Sequence, residues 1–171
     1  FTSGTLVNTT NAPINVTYTV TPSQGAPVLG SVFGGGQIAY VFQPTDLGYV
    51  PGQTTVLIAG TTNYPGVIGN CNPPTPYVAT STAIGTGAAN TQYLINNCSL
   101  TTTGAYIADT LTTGGYTDWY LPSKDELIKV LQNSWITPTL VFPGQYASSS
   151  VITNTQGFST QIWMYYYLGT N

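Results

Sequence analysis

The clearest pattern of apolar and polar positions lies in residues 114–133, which end in an amphipathic repeat. Three apolar residues there recur at i, i+3 and i+4, the spacing of one face of an α-helix: Leu127, Val130 and Leu131. Ser123 stands at the N-cap position, and Glu126 three residues later completes the capping box S-x-x-E. We therefore predict one amphipathic helix that begins directly after Ser123.

Other segments predict strands and two further helices. The short aromatic segment Tyr116–Leu121, which precedes Pro122, is predicted as a strand. Apolar runs or alternation predict four more strands: Gln37–Phe42, Thr54–Ala59, Tyr146–Ser150 and Gln161–Leu168. Two shorter segments are predicted as helices: Ala88–Asn97 and Gly104–Leu111. The first of these helices should direct three side chains inward: Ala89, Tyr93 and Leu94. Residues 136–145, which contain two prolines, are predicted as a loop.

Residues 1–30 differ from the rest of the chain and are predicted as a β-strand extension followed by a linker. Alternation places four side chains on one face of that strand: Ile14, Val16, Tyr18 and Val20. A single strand does not fold alone, so this one must pair with another element. Three partners are open: the edge of this domain's own sheet, an upstream module, or a neighbouring subunit.

Composition narrows the class of partner. Charged residues make up 4% of the chain, the net charge is −3, and histidine is absent. The two lysines do not form the basic surface that nucleic-acid binding needs. No apolar run approaches the roughly 20 residues of a membrane span. The chain begins at Phe1 without methionine, so we expect that a signal peptide or an upstream region has been removed. A surface rich in Thr, Asn, Gly, Ser and Tyr favours hydrogen bonds and aromatic contacts over electrostatic steering.

The run DWYLPSKDEL at residues 118–127 closely resembles the signature of the DUF1566 family, which includes the C-terminal domain of the Legionella collagen-like adhesin. Two further blocks, residues 36–50 and 82–98, look like the family's opening strand with its turn and its first helix. Together the three blocks extend the resemblance over roughly Ser31 to Asn171. The resemblance implies an α+β, C-type-lectin-like domain over residues 31–171, with small antiparallel sheets and two to three short helices. It implies much less about function, because one fold hosts many functions.

The end of the chain departs from the family pattern. Family members usually continue into a final strand that carries arginines and closes the sheet, and this chain stops at Asn171 without one. Either the sequence is a fragment, or another segment takes that place. The N-terminal strand is the natural candidate, in cis or from a neighbouring subunit, and strand addition of this kind joins subunits in other systems.

The two cysteines, Cys71 and Cys98, are interpreted as one disulfide. Their spacing is not C-x-x-C and the chain has no histidine, which argues against a metal site. Composition and the family resemblance both suggest export, and an exported protein is where a disulfide persists. The alternative is a pair of buried free thiols.

Catalysis finds little support, and we predict a non-enzymatic protein without a cofactor. No general base stands beside a nucleophile, and two of the five carboxylates, Asp125 and Glu126, begin the predicted helix. Asp118 is interpreted as a hydrogen-bond acceptor at a strand end or in a turn, and the segment from Gln43 to Asp46 as a turn. A calcium site built from Asp46 or Asp118 is a minor alternative, because hard-cation sites usually gather more carboxylates.

A ligand-binding surface is predicted near the C-terminus, where aromatic side chains stand beside hydroxyls and amides. Its candidate residues are Tyr146, Ser148, Ser149, Asn154, Tyr165 and Tyr167. The alternative is that about half of these aromatics, alternating along a strand, belong to the core. Trp119 and Trp163 are both interpreted as core residues.

These observations together predict an extracellular or cell-surface adhesin that recognises a glycan or another surface polymer. The alternative is a structural subunit of a surface filament or virion appendage, assembled as a homo-oligomer through terminal strand addition. Neither prediction requires nucleic acid or a membrane span.

Overall fold

The computed structural model describes residues 25–64, 79–97, 100–133, 144–153 and 159–166. Within these ranges the chain is a mixed α+β protein whose elements run in the order β1(Val32–Phe33), β2(Gly36–Val41), β3(Val56–Ala59), α1(Gly87–Asn96), α2(Gly104–Asp109), α3(Lys124–Gln132), β4(Gly144–Thr153) and β5(Ser159–Tyr166). No helix in these ranges is long and apolar enough to cross a membrane.

The strands form two small antiparallel sheets. The first has the order β1-β2-β3, with an irregular register between Ile38 and Tyr40. The second is the pair β4-β5, whose register shifts between Ala147 and Val151. Within the described residues, β3 is therefore an edge strand of the first sheet.

The main core lies between the first sheet and α3. It consists of Ala39, Phe42, Leu57, Ala59, Leu127, Val130 and Leu131. The apolar stripe predicted on α3 supplies the last three of these residues, so the predicted helix face is confirmed. A smaller core joins α1, α2 and β4 through Leu94, Ala105 and Val151.

Two glycine turns bring distant parts of the chain into backbone contact. Gly35, in the turn between β1 and β2, has a φ of 81°, and Gly114 has a φ of 63°, which are left-handed values that favour glycine. A Cβ on Gly114 would overlap the Cα of Gly35. The close approach therefore requires glycine at both positions, and it sets the β1–β2 turn beside the segment that leads to α3.

The predicted strand Tyr116–Leu121 is wrong. Tyr116 makes one isolated bridge to Thr113, and the residues from there to α3 form no regular strand. The Leu121 N–H donates to Thr91 Oγ1 at 3.0 Å, and the same hydroxyl lies 3.1 Å from the Leu121 carbonyl oxygen. A buried side chain of α1 thus takes the place of a partner strand.

Other boundaries differ from the prediction by a few residues. The helix α2 ends at Asp109 rather than Leu111, and β4 already begins at Gly144, inside the predicted loop. Ala89 is exposed, so its predicted inward orientation is wrong, whereas Leu94 is buried as expected.

Several predictions concern residues outside the described ranges. They are the N-terminal strand face with Ile14, Val16, Tyr18 and Val20, the pairing of Cys71 with Cys98, and the ligand-binding roles of Asn154 and Tyr167. Tyr165 lies in β5, whose backbone alone is described.

Candidate ligand-binding cleft

The N-terminus of α3 is fully hydrogen-bonded within the protein. The first N–H groups of a helix lack partners in the helix itself and need acceptors elsewhere. Here they donate within 3.3 Å to protein oxygens: Lys124 N–H to Ser150 Oγ, Asp125 N–H to the Thr82 carbonyl, Glu126 N–H to Ser123 Oγ, and Leu127 N–H to the Ser123 carbonyl. The capping box predicted from Ser123 and Glu126 is confirmed. This helix end has no N–H group left to bind an anion.

Glu126 is fully buried and its carboxylate joins two helix starts. Oε2 accepts the Ser123 N–H at 2.7 Å, and Oε1 accepts the Gly85 N–H at 2.8 Å. A Cβ on Gly87, the first residue of α1, would overlap this carboxylate. The negative charge therefore lies at the N-termini of both α1 and α3, where helix dipoles stabilise it. Its contacts are those of a structural residue.

The serine run of β4 lies inside the protein. Ser148, Ser149 and Ser150 all have zero exposed surface. Ser150 Oγ accepts from the Lys124 N–H and donates to the Ser81 carbonyl, both at 2.9 Å. Ser149 Oγ is buried and has no hydrogen-bond partner among the described residues. The prediction that Ser148 and Ser149 contact a ligand is corrected, because neither hydroxyl reaches solvent.

A cleft of about 350 Å³ opens beside the edge strand β3. Four parts of the chain line it: the β1–β2 turn with Phe33 before it, β3 with the residues after it as far as Asn63, the segment from Tyr116 to Pro122, and single residues of α3 (Val130) and β4 (Tyr146). The volume lies at the lower end of the ~300–1,000 Å³ typical of small-molecule sites. Of the residues predicted to bind a ligand, the structure places Tyr146 in this cleft.

Aromatic side chains dominate the cleft lining: Phe33, Tyr116, Trp119, Tyr120 and Tyr146. Two of them, Phe33 at 52% and Tyr116 at 48% exposure, form an accessible rim, and the other three are partly buried. The Trp119 indole N–H donates to the Thr113 carbonyl at 3.4 Å. Trp119 was interpreted as a core residue, and it instead offers part of its surface to the cleft.

The polar lining consists mainly of one carboxylate and one amide. Asp118 is exposed, and within the described residues its carboxylate makes no hydrogen bond or ion pair, so the predicted role as a strand-end acceptor is wrong. Asn63 donates from Nδ2 to the Tyr146 hydroxyl at 3.4 Å. Asp46, by contrast, is used in the predicted turn, where its Oδ2 accepts the Gln43 N–H at 2.7 Å and the Tyr40 hydroxyl at 2.9 Å.

Two of the cleft tyrosines, Tyr120 and Tyr146, have raised pKa values and remain protonated well above neutral pH. Burial raises the pKa of Tyr120 above its ordinary value, and the neighbouring Glu126 carboxylate raises it further. Burial also raises the pKa of Tyr146, and the hydrogen bond from Asn63 opposes that shift. Both rings therefore present neutral phenols to a ligand at physiological pH.

Sequence reasoning missed Phe33, Asn63 and Tyr116 as cleft residues. A signal for two of them was present, because Phe33 directly precedes the Gly34-Gly35 turn and Tyr116 directly follows the Gly114-Gly115 turn. Nothing local indicated that the two turns would meet.

Among the described residues, no three His, Cys, Asp or Glu side chains come together as metal ligands would. The cleft is lined by aromatic and aliphatic side chains together with one carboxylate and one amide. No protein-family model, curated protein or solved structure matches this chain.

Proposed function

We propose that this protein is an extracellular, non-catalytic binding module that recognises a glycan or another surface polymer through the aromatic cleft. The observation that carries the proposal is the grouping of five aromatic side chains with one unpaired carboxylate and one amide in the same cleft. Aromatic rings give large contact areas at low entropic cost, and the polar groups fix orientation through hydrogen bonds. Sugar rings present C–H faces to aromatics and hydroxyls to polar groups, so they suit this lining.

The proposal includes membership of the DUF1566 family and a C-type-lectin-like fold. Its support is the DWYLPSKDEL run. This run supplies the capping box of α3 and four residues that line the cleft: Asp118, Trp119, Tyr120 and Pro122. The signature thus carries both a structural helix start and a set of ligand-facing side chains.

Substitution of Tyr116 by alanine tests the cleft on a glycan array. Tyr116 lines the cleft at 48% exposure, so its loss should weaken binding of any array ligand by roughly two- to tenfold, the size of one aromatic contact. Tyr64 is the matched control, because it is 47% exposed and does not line the cleft. Tyr64→Ala should retain binding. The absence of any array ligand, or equal effects of the two substitutions, would sink the proposal.

The second candidate function is a filament subunit joined by strand addition. One observation favours it: β3 is an edge strand within the described residues, and edge strands offer unpaired backbone groups to an added strand. Electron microscopy and light scattering of the intact chain and of a chain lacking residues 1–22 decide between the two functions. Fibres from the intact chain alone would favour the filament, and discrete particles from both chains would exclude it.

A further inference from the structure

The charges around the cleft are one-sided. Asp118 is the charged side chain in the cleft lining, and no hydrogen bond or ion pair neutralises it within the described residues. The whole chain contains two basic side chains and no histidine. Lys124 Nζ lies 3.1 Å from Asp125 Oδ1, and Lys129 Nζ lies 5.3 Å from the centre of the Tyr40 ring. Both ammonium groups therefore have partners outside the cleft. No basic side chain of this protein lines the cleft to balance Asp118.

The aromatic lining adds to this preference for positive charge. The face of a tryptophan or tyrosine ring carries partial negative charge and attracts a cation within about 6 Å of its centre. Trp119, Tyr116 and Tyr120 line the cleft together with Asp118. The hydroxyls of Tyr120 and Tyr146 stay protonated, so these side chains add neutral hydrogen-bonding groups to the cleft. A bound ammonium group would meet a carboxylate and aromatic side chains, whereas an anion would be repelled by Asp118 and would meet no basic side chain in the lining.

We infer that the cleft selects a saccharide unit that carries a free ammonium group, such as a non-acetylated amino sugar, over the corresponding neutral sugar. The inference rests on the proposed function and names its ligand chemistry. The sugar ring supplies the apolar face and hydroxyls for the aromatic rings and Asn63. The ammonium group would pair with the Asp118 carboxylate, which has no positively charged partner among the described residues. The overall charge of −3 draws the same class of ligand to the surface.

Three disaccharides of identical linkage test this inference. The β1–4 disaccharide of glucosamine carries ammonium groups at C2, N,N′-diacetylchitobiose carries acetamides there, and cellobiose carries hydroxyls. Isothermal titration calorimetry with the intact chain, at a mildly acidic pH that keeps the amines protonated, should give an affinity for the glucosamine disaccharide roughly tenfold above that for cellobiose. N,N′-diacetylchitobiose, whose amines are acetylated and uncharged, should not show this higher affinity. At about 1 M salt the Debye length falls to roughly 3 Å, so the preference should shrink.

Matched charge variants assign the preference to the cleft. Asp118→Asn should reduce the preference for the glucosamine disaccharide to about threefold or less, because it removes the unpaired carboxylate. Asp125→Asn makes the same change in net charge outside the cleft lining and should leave the preference intact. Because both carboxylates are substantially exposed, we expect both variants to fold, and near-UV circular dichroism checks this.

Three outcomes would overturn the inference: cellobiose bound as tightly as the glucosamine disaccharide, an unchanged preference in Asp118→Asn, or no binding of any of the three disaccharides. None of these alone removes the proposed function, which is judged separately by the glycan array and its dependence on Tyr116. An array without any ligand would remove both.

Discussion

At the scale of single residues, the serine run of β4 separates two kinds of buried hydroxyl. Ser150 Oγ links a backbone N–H of α3 to the Ser81 carbonyl, whereas Ser149 Oγ finds no partner in the part of the chain that the structure describes. Both side chains have zero exposed surface, so burial does not distinguish them. Hydrogen bonding distinguishes them, and it predicts different changes in stability when each serine is replaced by alanine.

Ser150→Ala should lower the free energy of unfolding by about 1–3 kcal/mol, because the buried Lys124 N–H loses its acceptor. Ser149→Ala, its neighbour and matched control, should be neutral or slightly stabilising, because it removes a buried hydroxyl that bonds to nothing. Urea unfolding of the two variants against the parent chain measures the difference. Equal destabilisation by both substitutions would contradict this assignment.

At the scale of elements, α3 could be predicted from the sequence and the segment before it could not. The signals for α3 are local, because the capping box and the apolar stripe lie within nine residues of each other. The segment Tyr116–Leu121 has the composition of a strand, yet its backbone is paired by Thr91, a side chain thirty positions away in the chain. A tertiary contact of that kind overrides local propensity.

The junction of α1 and α3 should depend on the charge of Glu126. The Glu126 carboxylate accepts hydrogen bonds from the N–H groups of Gly85 and Ser123. In Glu126→Gln, the amide NH₂ would face one of these two donors and could not accept its hydrogen bond. We expect a loss of about 2–3 kcal/mol in the free energy of unfolding. Asp125→Asn, on the adjacent exposed position of the same helical turn, should cost less than about 1 kcal/mol. Chemical denaturation of both variants measures the contrast, and similar losses would refute the role given to Glu126.

At the scale of the whole molecule, tyrosines with raised pKa values couple stability to alkaline pH. Burial raises the pKa of Tyr40 to about 12, above the ordinary value of a tyrosine, and the hydrogen bond to Asp46 and the charge of that carboxylate add to the shift. Burial also raises the pKa values of Tyr120 and Tyr146. Between pH 10 and 12 the unfolded chain therefore holds fewer protons on these groups than the folded chain, and the free energy of unfolding falls as pH rises.

The stabilisation that comes from these protonated tyrosines should be fully present below pH 10. It should be lost as pH rises through the pKa values of the tyrosines in the folded protein. Urea unfolding at a series of alkaline pH values, with tyrosinate absorbance recorded in parallel, measures the effect. Tyr40→Phe should flatten the pH dependence, because it removes one of the shifted groups. Tyr64→Phe alters an exposed tyrosine and serves as the control. A free energy of unfolding that stays constant from pH 9 to 12 would disprove the coupling.

The cleft also belongs to the whole molecule, which explains why the sequence predicted only part of it. Tyr146, one of the predicted candidate residues, lines the cleft. Phe33 and Tyr116 line it too and were not predicted, because their neighbourhood depends on contacts between distant parts of the chain. The serines next to Tyr146 were assigned to the surface by composition, and the fold buries them. Patterns of residue type predict which chemistry is present, and long-range packing decides which of it faces solvent.

The contact between Gly35 and Gly114 has a consequence for engineering. The spacing of the cleft rim is set by backbone against backbone, and the aromatic side chains at Phe33 and Tyr116 project from it with about half of their surface free. Substitutions at positions 33 and 116 should therefore change the side chains at the cleft rim without changing the backbone contact between Gly35 and Gly114. The contact between the two turns does not involve these side chains, so a library that varies positions 33 and 116 alone should yield folded proteins.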